Sequence, residues 1–141
     1  MKLLDTLLVV YARTPASPFH AWAVEQISEA VATEGDGAAL NVVSLAELCG
    51  EDGVDETAVA AAVSSFGVQL VDLPVGVAEK SGAAYRSYRH KRKAESGKDA
   101  PKTPLPDFFI GAHAQLNGWE LVTNDPERFR IYFPTVKLIT P

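Results

Sequence analysis

The sequence predicts an α/β protein with a parallel sheet, and two observations carry that prediction. Short apolar segments alternate with longer stretches of helical pattern, as in strand–helix–strand units. The opening run, Leu3-Leu4-Asp5-Thr6-Leu7-Leu8-Val9-Val10, is apolar enough to be a strand buried on both faces, or a strand passing into a buried helix. At 141 residues the chain makes one domain, 1–141, large enough for a real core.

The remaining elements follow in order. Pro15-Ala16-Ser17-Pro18 breaks the chain, and Ser17 is placed to cap a helix from about His20 to Ala32. Gly35-Asp36-Gly37 is a turn, and Leu40-Asn41-Val42-Val43 a short buried strand followed by a helix from Ser44. Asp55-Glu56 opens a helix through Ser64, closed by Gly67. Val68 to Leu73 is strand-like and ends at Pro74, and a long helix runs from Val75 to about Ala94. Ser96 to Pro106 has the Gly, Lys and Pro content of a loop. Asp107 to Asn117 is helical with Gly118 as its stop. Glu120 to Thr123 is a strand, Asn124-Asp125-Pro126-Glu127 turns into a short helix, and Val136-Lys137-Leu138-Ile139 is the last strand.

Composition narrows the class of function. The chain is 47% apolar and 22% charged, which suits a soluble globular protein. The lone cysteine, Cys49, excludes an internal disulfide and suits a reducing compartment. No run reaches the roughly 18 apolar residues of a membrane span, and Asp5 would interrupt the apolar region of a signal peptide. A cytoplasmic location is therefore expected. The net charge of −5 hides an asymmetry: residues 80–102 carry eight of the thirteen Lys and Arg against two acids, making that stretch +6 and the remainder −11. Arg86, Arg89, Lys91, Arg92 and Lys93 form a basic element suited to a polyanion, although such a run is ordinarily a solvated helix face.

Four acids carry the functional signal. An ionised Asp5 in an apolar segment costs several kcal/mol unless it is paired, hydrogen-bonded or bound to a metal. Glu47, Asp107 and Asp125 each have a structural reading as well. Ser44-x-x-Glu47 matches a capping box, Asp107 follows Pro104-Leu105-Pro106 where it can cap its helix, and Asp125-Pro126 looks like an N-cap with proline at the first helical position. Asp5, Glu47 and Asp125 fall at or just after the ends of predicted strands, where parallel sheets bind ligands. Asp107, Ile110, Gly111 and Ala114 share a helix face whose small residues are expected to pack on the sheet and aim Asp107 over its edge. Carboxylates gathered without a balancing Lys or Arg repel one another, and a hard divalent cation resolves that repulsion. The chemistry then open is phosphodiester hydrolysis.

Other constellations are weaker. His20, His90 and His113 match no zinc spacing, and Cys49 reads as a small core residue. No glycine-rich dinucleotide fingerprint or phosphate-binding loop occurs.

Leu4-Asp5-Thr6 with Leu8 to Tyr11, Ser44-Leu45-Ala46-Glu47-Leu48, Pro106 to Ala114, and Leu121-Val122-Thr123-Asn124-Asp125 with Phe129 resemble the successive motifs of the PIN domain. Val136 to Pro141 resembles that family's last strand, so the likeness spans the chain in order. At this size it is similar to the toxins of bacterial VapBC toxin–antitoxin pairs. The resemblance implies a three-layer α/β/α sandwich with a central parallel sheet and a Mg²⁺-dependent endoribonuclease, with Mn²⁺ as a substitute. It also implies a homodimer, inhibited by a small antitoxin whose tail enters the active-site groove. Carried onto this chain, the catalytic and metal-holding acids would be Asp5, Glu47, Asp107 and Asp125. Asp5 would then end the first strand, with Thr6 to Tyr11 helical. Thr6, Thr123 and Asn124 would give polar support, and Arg86, Arg89, Lys91, Arg92 and Lys93 would hold the RNA backbone. The pattern departs at Leu7, where the family commonly has Asn or Ser, which leaves open a degraded module that binds RNA or a protein without cleavage. A nuclease of similar fold directed at DNA is a third reading.

Overall fold

The computed structural model describes residues 1–34 and 37–141, so Gly35 and Asp36 of the expected turn lie outside the described residues. The strands are β1 (Lys2–Leu4), β2 (Ala38–Asn41), β3 (Gln69–Val71), β4 (Glu120–Val122) and β5 (Leu138–Ile139). All pair in parallel, in the order β3-β2-β1-β4-β5. The helices are α1 (Thr6–Ala12), α2 (His20–Ala32), α3 (Val42–Cys49), α4 (Glu56–Ser65), α5 (Val75–Ser96), α6 (Pro106–Asn117) and α7 (Glu127–Tyr132).

The strand order explains the layers. From β1 the chain first moves outward to β2 and β3, then returns past β1 to β4 and β5. Right-handed crossovers running in opposite directions must lie on opposite faces of the sheet. One core accordingly joins Leu4, Ala38, Leu40 and Val122 of the sheet to Leu8, Val9, Ala23, Ile27, Leu48, Val59 and Val63 from α1 to α4. The other joins Leu3, Ala39 and Leu121 to Val77, Tyr85, Phe108, Ile110, Phe129 and Phe133 from the second half of the chain. Adjacent strand residues point to opposite cores because side chains alternate along a strand. This is the expected three-layer α/β/α sandwich.

Several local expectations are corrected. The opening run divides after Leu4: β1 is three residues long, and Thr6–Ala12 is helical, as the family resemblance implies. Asn41, the last residue of β2, caps α3 by accepting the N–H groups of Val43 and Ser44 at 3.1 and 3.0 Å. The helix therefore starts at Val42, before Ser44, and the expected capping box does not form: Ser44 is buried within the helix. Asp107 and Asp125 are not caps either. Leu105 and Pro126 occupy the N-cap positions of α6 and α7, and neither helix has a side-chain cap. Asp55 does cap α4, accepting the Ala58 N–H at 2.7 Å.

Gly111 was expected to bring α6 against the sheet. It meets the ring of Phe133 instead, just past the end of α7: a β-carbon added at Gly111 would lie 2.3 Å from that ring. Phe133 is buried, its ring packed edge-on against Phe108. Gly111→Ala gains about 1 kcal/mol of helix propensity, but overpacking a filled site costs about 1–3 kcal/mol. The variant is expected to be less stable by chemical denaturation. A variant more stable than wild type would show that α6 and α7 can separate.

Candidate functional site

β1 and β4 are the neighbours from which the chain departs in opposite directions, so the crevice beyond their carboxyl ends is the switch point of this sheet. The Asp5 N–H donates to the Val122 carbonyl at 3.0 Å, carrying the β1–β4 pairing one residue past the strands. Asp5 then stands beside Thr123. The Thr123 hydroxyl donates to Asp5 Oδ2 at 2.7 Å and accepts the Asp125 N–H at 3.1 Å. One buried hydroxyl thus positions two of the acids.

Glu47 arrives from α3, whose start is set by the Asn41 cap at the end of β2. The Thr6 hydroxyl, in the first turn of α1, donates to Glu47 Oε2. Asp107 comes from the first turn of α6. Asp5, Glu47, Asp107 and Asp125 line one cavity of about 300 Å³, with Thr6, Leu7 and Phe129 completing its wall. Leu7 is 42% exposed at this wall, where it supplies no polar atom. Asn124 turns toward α1, its amide donating to the Tyr11 hydroxyl at 2.9 Å. His113, by contrast, lies in the interior beside Asn41 and Trp119, where burial pushes its pKa down.

The premise that no cation balances these acids is corrected. Arg128 of α7 pairs with Asp107 and donates to its Oδ2. Arg128 was missed because it belongs to none of the motifs; its signal was its place on the short helix that follows Asp125. Asp5 remains without such a partner. Burial pushes its pKa up to about 6, the Thr123 hydrogen bond opposes that rise, and the charges of Asp107 and Glu47 add to it.

The donor set is all oxygen, which suits a hard divalent cation. Among the described residues, however, no three His, Cys, Asp or Glu side chains form a ready metal cage. Glu47 faces Thr6 through Oε2 and Asp107 faces Arg128 through Oδ2, so a cation bound here would have to use their other oxygens or displace these partners.

The basic residues separate by helix face. Lys91 and Arg92 line a second cavity, of about 440 Å³, which shares Asp125 with the acid cleft. Arg86 and Arg89 are exposed on α5 outside both walls. Lys93 pairs with Asp99 at 3.2 Å and donates to the Gly97 carbonyl at 3.1 Å, closing the end of α5.

The raised pKa of Asp5 sets a pH dependence. The folded state holds the Asp5 proton more tightly than the unfolded state, where the ordinary value is 3.8. The ionised group therefore costs the fold on the order of 3 kcal/mol above about pH 6, and the cost vanishes as the pH falls toward 4. Metal-free Asp5→Asn is expected to be more stable than wild type near pH 8, with the gap closing toward pH 4 in urea unfolding. A gap that stays constant with pH would assign the effect to something other than the Asp5 charge.

A family model described as the PIN domain matches residues 2–134. Among solved structures, a toxin–antitoxin complex from Klebsiella pneumoniae shares 21% identity, with a TM-score of 0.63 over 100% of this chain and 98% of that one. VapBC-1 from nontypeable Haemophilus influenzae shares 17%, with a TM-score of 0.67 over 99% and 96%. VapC20 from Mycobacterium tuberculosis, described as a toxin that cleaves the sarcin-ricin loop, shares 14%, with a TM-score of 0.58 over 97% and 99%. At these identities the likeness is one of fold. A comparison with curated proteins finds no match.

Proposed function

The chain belongs to the PIN domain family, and from that premise we propose that it is a metal-dependent endoribonuclease, the toxin of a toxin–antitoxin pair. The observation that carries this reading is the convergence of Asp5, Glu47, Asp107 and Asp125 on one cavity at the sheet's switch point. Their oxygens would hold Mg²⁺ or Mn²⁺, which would make a bound water more acidic and offset charge on the phosphate. Asp5 is the anchor of the site, because Thr123 orients its carboxylate and its burial keeps competing water away. Thr6 orients Glu47. Asp125, held through its backbone by Thr123, is suited to a fourth ligand position or to hydrogen-bonding the attacking water. Lys91 and Arg92, beside this cleft, are suited to the RNA backbone.

A groove lined by carboxylates is complementary to an Arg-bearing tail, and the three solved structures described above include complexes with antitoxins. A small antitoxin is thus the partner this reading carries, together with the homodimer that the family resemblance implies. Among the described residues no helix is long and apolar enough to cross a membrane.

One observation favours the second reading, a PIN module that binds without cleaving: the Asp107–Arg128 ion pair already neutralises one acid. Metal titration separates the two. At a hundredfold excess over its dissociation constant, Mn²⁺ should stabilise an intact site by about 2.7 kcal/mol. Asp5→Asn is expected to lose both this stabilisation and RNA cleavage. An Asn variant that cleaves at the wild-type rate would remove Asp5 from the mechanism, and a wild-type protein unmoved by either metal and without cleavage would establish the binding module.

The basic helix supplies an independent prediction. In the Asp5→Asn background, where RNA stays intact, Lys91→Gln with Arg92→Gln should weaken RNA binding. It should also flatten the salt dependence by about 1.4 in slope, at roughly 0.7 per phosphate contact on a single strand. Arg86→Gln with Arg89→Gln should change the slope less. Equal effects of the two pairs would move the RNA path onto the outer face of α5.

A further inference from the structure

The second cavity has a composition that an RNA backbone alone does not explain. Its α5 wall is Tyr88, Lys91, Arg92 and Glu95, spaced as one helical face, which is why Arg86, Arg89 and Lys93 point elsewhere. The α7 wall repeats the device with Arg128, Ile131 and Tyr132. Tyr88 is rooted in the core by stacking on Tyr85 at 5.5 Å and by contact with Phe108 at 5.3 Å. It meets Tyr132 edge-on, with centroids 5.8 Å apart and an interplanar angle of 83°, so the two rings form a fixed corner. Beside that corner Ile131 is 48% exposed, an apolar side chain held among charges.

The cations are arranged around the same corner. The Arg92 guanidinium donates to the Tyr88 hydroxyl at 3.0 Å, and the Arg128 guanidinium carbon lies 5.8 Å from the Tyr88 ring centre. Arg128 also pairs with Asp107, so one side chain borders both the cavity and the acid cleft, while Asp125 lines both. Glu95 and Glu127 add acceptors to the wall. Aromatic and aliphatic faces, anion-binding guanidinium groups and carboxylate acceptors together match the parts of a nucleotide: base, phosphate and the amino or hydroxyl donors. The volume of about 440 Å³ falls within the roughly 300–1,000 Å³ of small-ligand sites. A base enters such a pocket only when it is free of a duplex stack. Lys91, Arg92 and Arg128 match Glu95, Asp125 and Glu127 in number, so the wall lacks the net negative charge that would draw in the other candidate, a basic peptide tail.

We propose that the cavity between α5 and α7 is a subsite for a single-stranded RNA nucleotide adjoining the one at the acid cleft, its base packed on Tyr88, Ile131 and Tyr132 and its phosphate held by Lys91, Arg92 and Arg128. This rests on the ribonuclease reading and adds where on this chain the neighbouring nucleotide docks. The test measures affinity for a short single-stranded oligoribonucleotide, and for the same sequence annealed to its complement, in the Asp5→Asn background. Tyr132→Leu and Ile131→Glu are expected to weaken single-strand binding roughly 5- to 160-fold, the range of one lost base stack, with a much smaller effect on the duplex. Ile131 is exposed, so Ile131→Glu carries the test if Tyr132→Leu fails to fold. Folded variants that bind the single strand as tightly as their parent would overturn the proposal while wild-type cleavage keeps the ribonuclease reading intact. Loss of affinity for an Arg-rich peptide with RNA binding unchanged would also overturn it, making the cavity a peptide groove. A parent that binds no RNA, with a wild type that cleaves none, would overturn both.

Discussion

A parallel strand covered on both faces can present chemistry only at its carboxyl end, and β1 is such a strand. Leu3 and Leu4 are fully buried in opposite cores, so the first residue free of that packing is Asp5. The pairing that holds β1 to β4 continues through the Asp5 N–H to Val122, which places Thr123 where its hydroxyl reaches the carboxylate. The position of Asp5 is therefore a consequence of sheet order. Glu47 and Asp107 are brought to it by α3 and α6, and Asp125 by the turn that follows β4.

The site illustrates how burial and function oppose each other. Asp5 is taken from water and left near two other carboxylates, a placement that destabilises its ionised form. A core built only for stability would carry an apolar residue there. The neighbouring acids are each restrained differently: Glu47 by a hydroxyl on α1, Asp107 by a guanidinium on α7, Asp125 by its own backbone. These partners hold the site together without a cation, and each is a group that a bound cation or a phosphate would have to displace or share.

Arg128 joins the two halves of this surface. It is bonded to an acid of the cleft on one side and approaches the Tyr88 ring on the other. The short helix α7, six residues long, thus supplies Phe129 to the core, Arg128 to the cleft and Ile131 with Tyr132 to the neighbouring cavity. Arg128, Ile131 and Tyr132, three and four residues apart, share one face of α7, while Phe129, one residue beyond Arg128, turns to the core.

The sequence by itself determined the alternation of strands and helices, most of their boundaries, and the anomaly of Asp5. These are local properties: periodicity, cap and stop residues such as Asp55 and Gly118, and an acid in an apolar run. It also suggested caps at Ser44, Asp107 and Asp125 that do not form. Capping depends on where the preceding strand ends, and that end is set by pairing with strands distant in sequence, as Asn41 shows. Only the tertiary structure decided that Arg128 neutralises Asp107, that Thr123 serves both Asp5 and Asp125, and that Lys91 and Arg92 stand apart from Arg86 and Arg89. Arg128 and Asp107 are twenty-one positions apart, and Thr123 and Asp5 a hundred and eighteen. Their distances follow from the order in which the crossovers lay down the sheet, which no local pattern in the chain records.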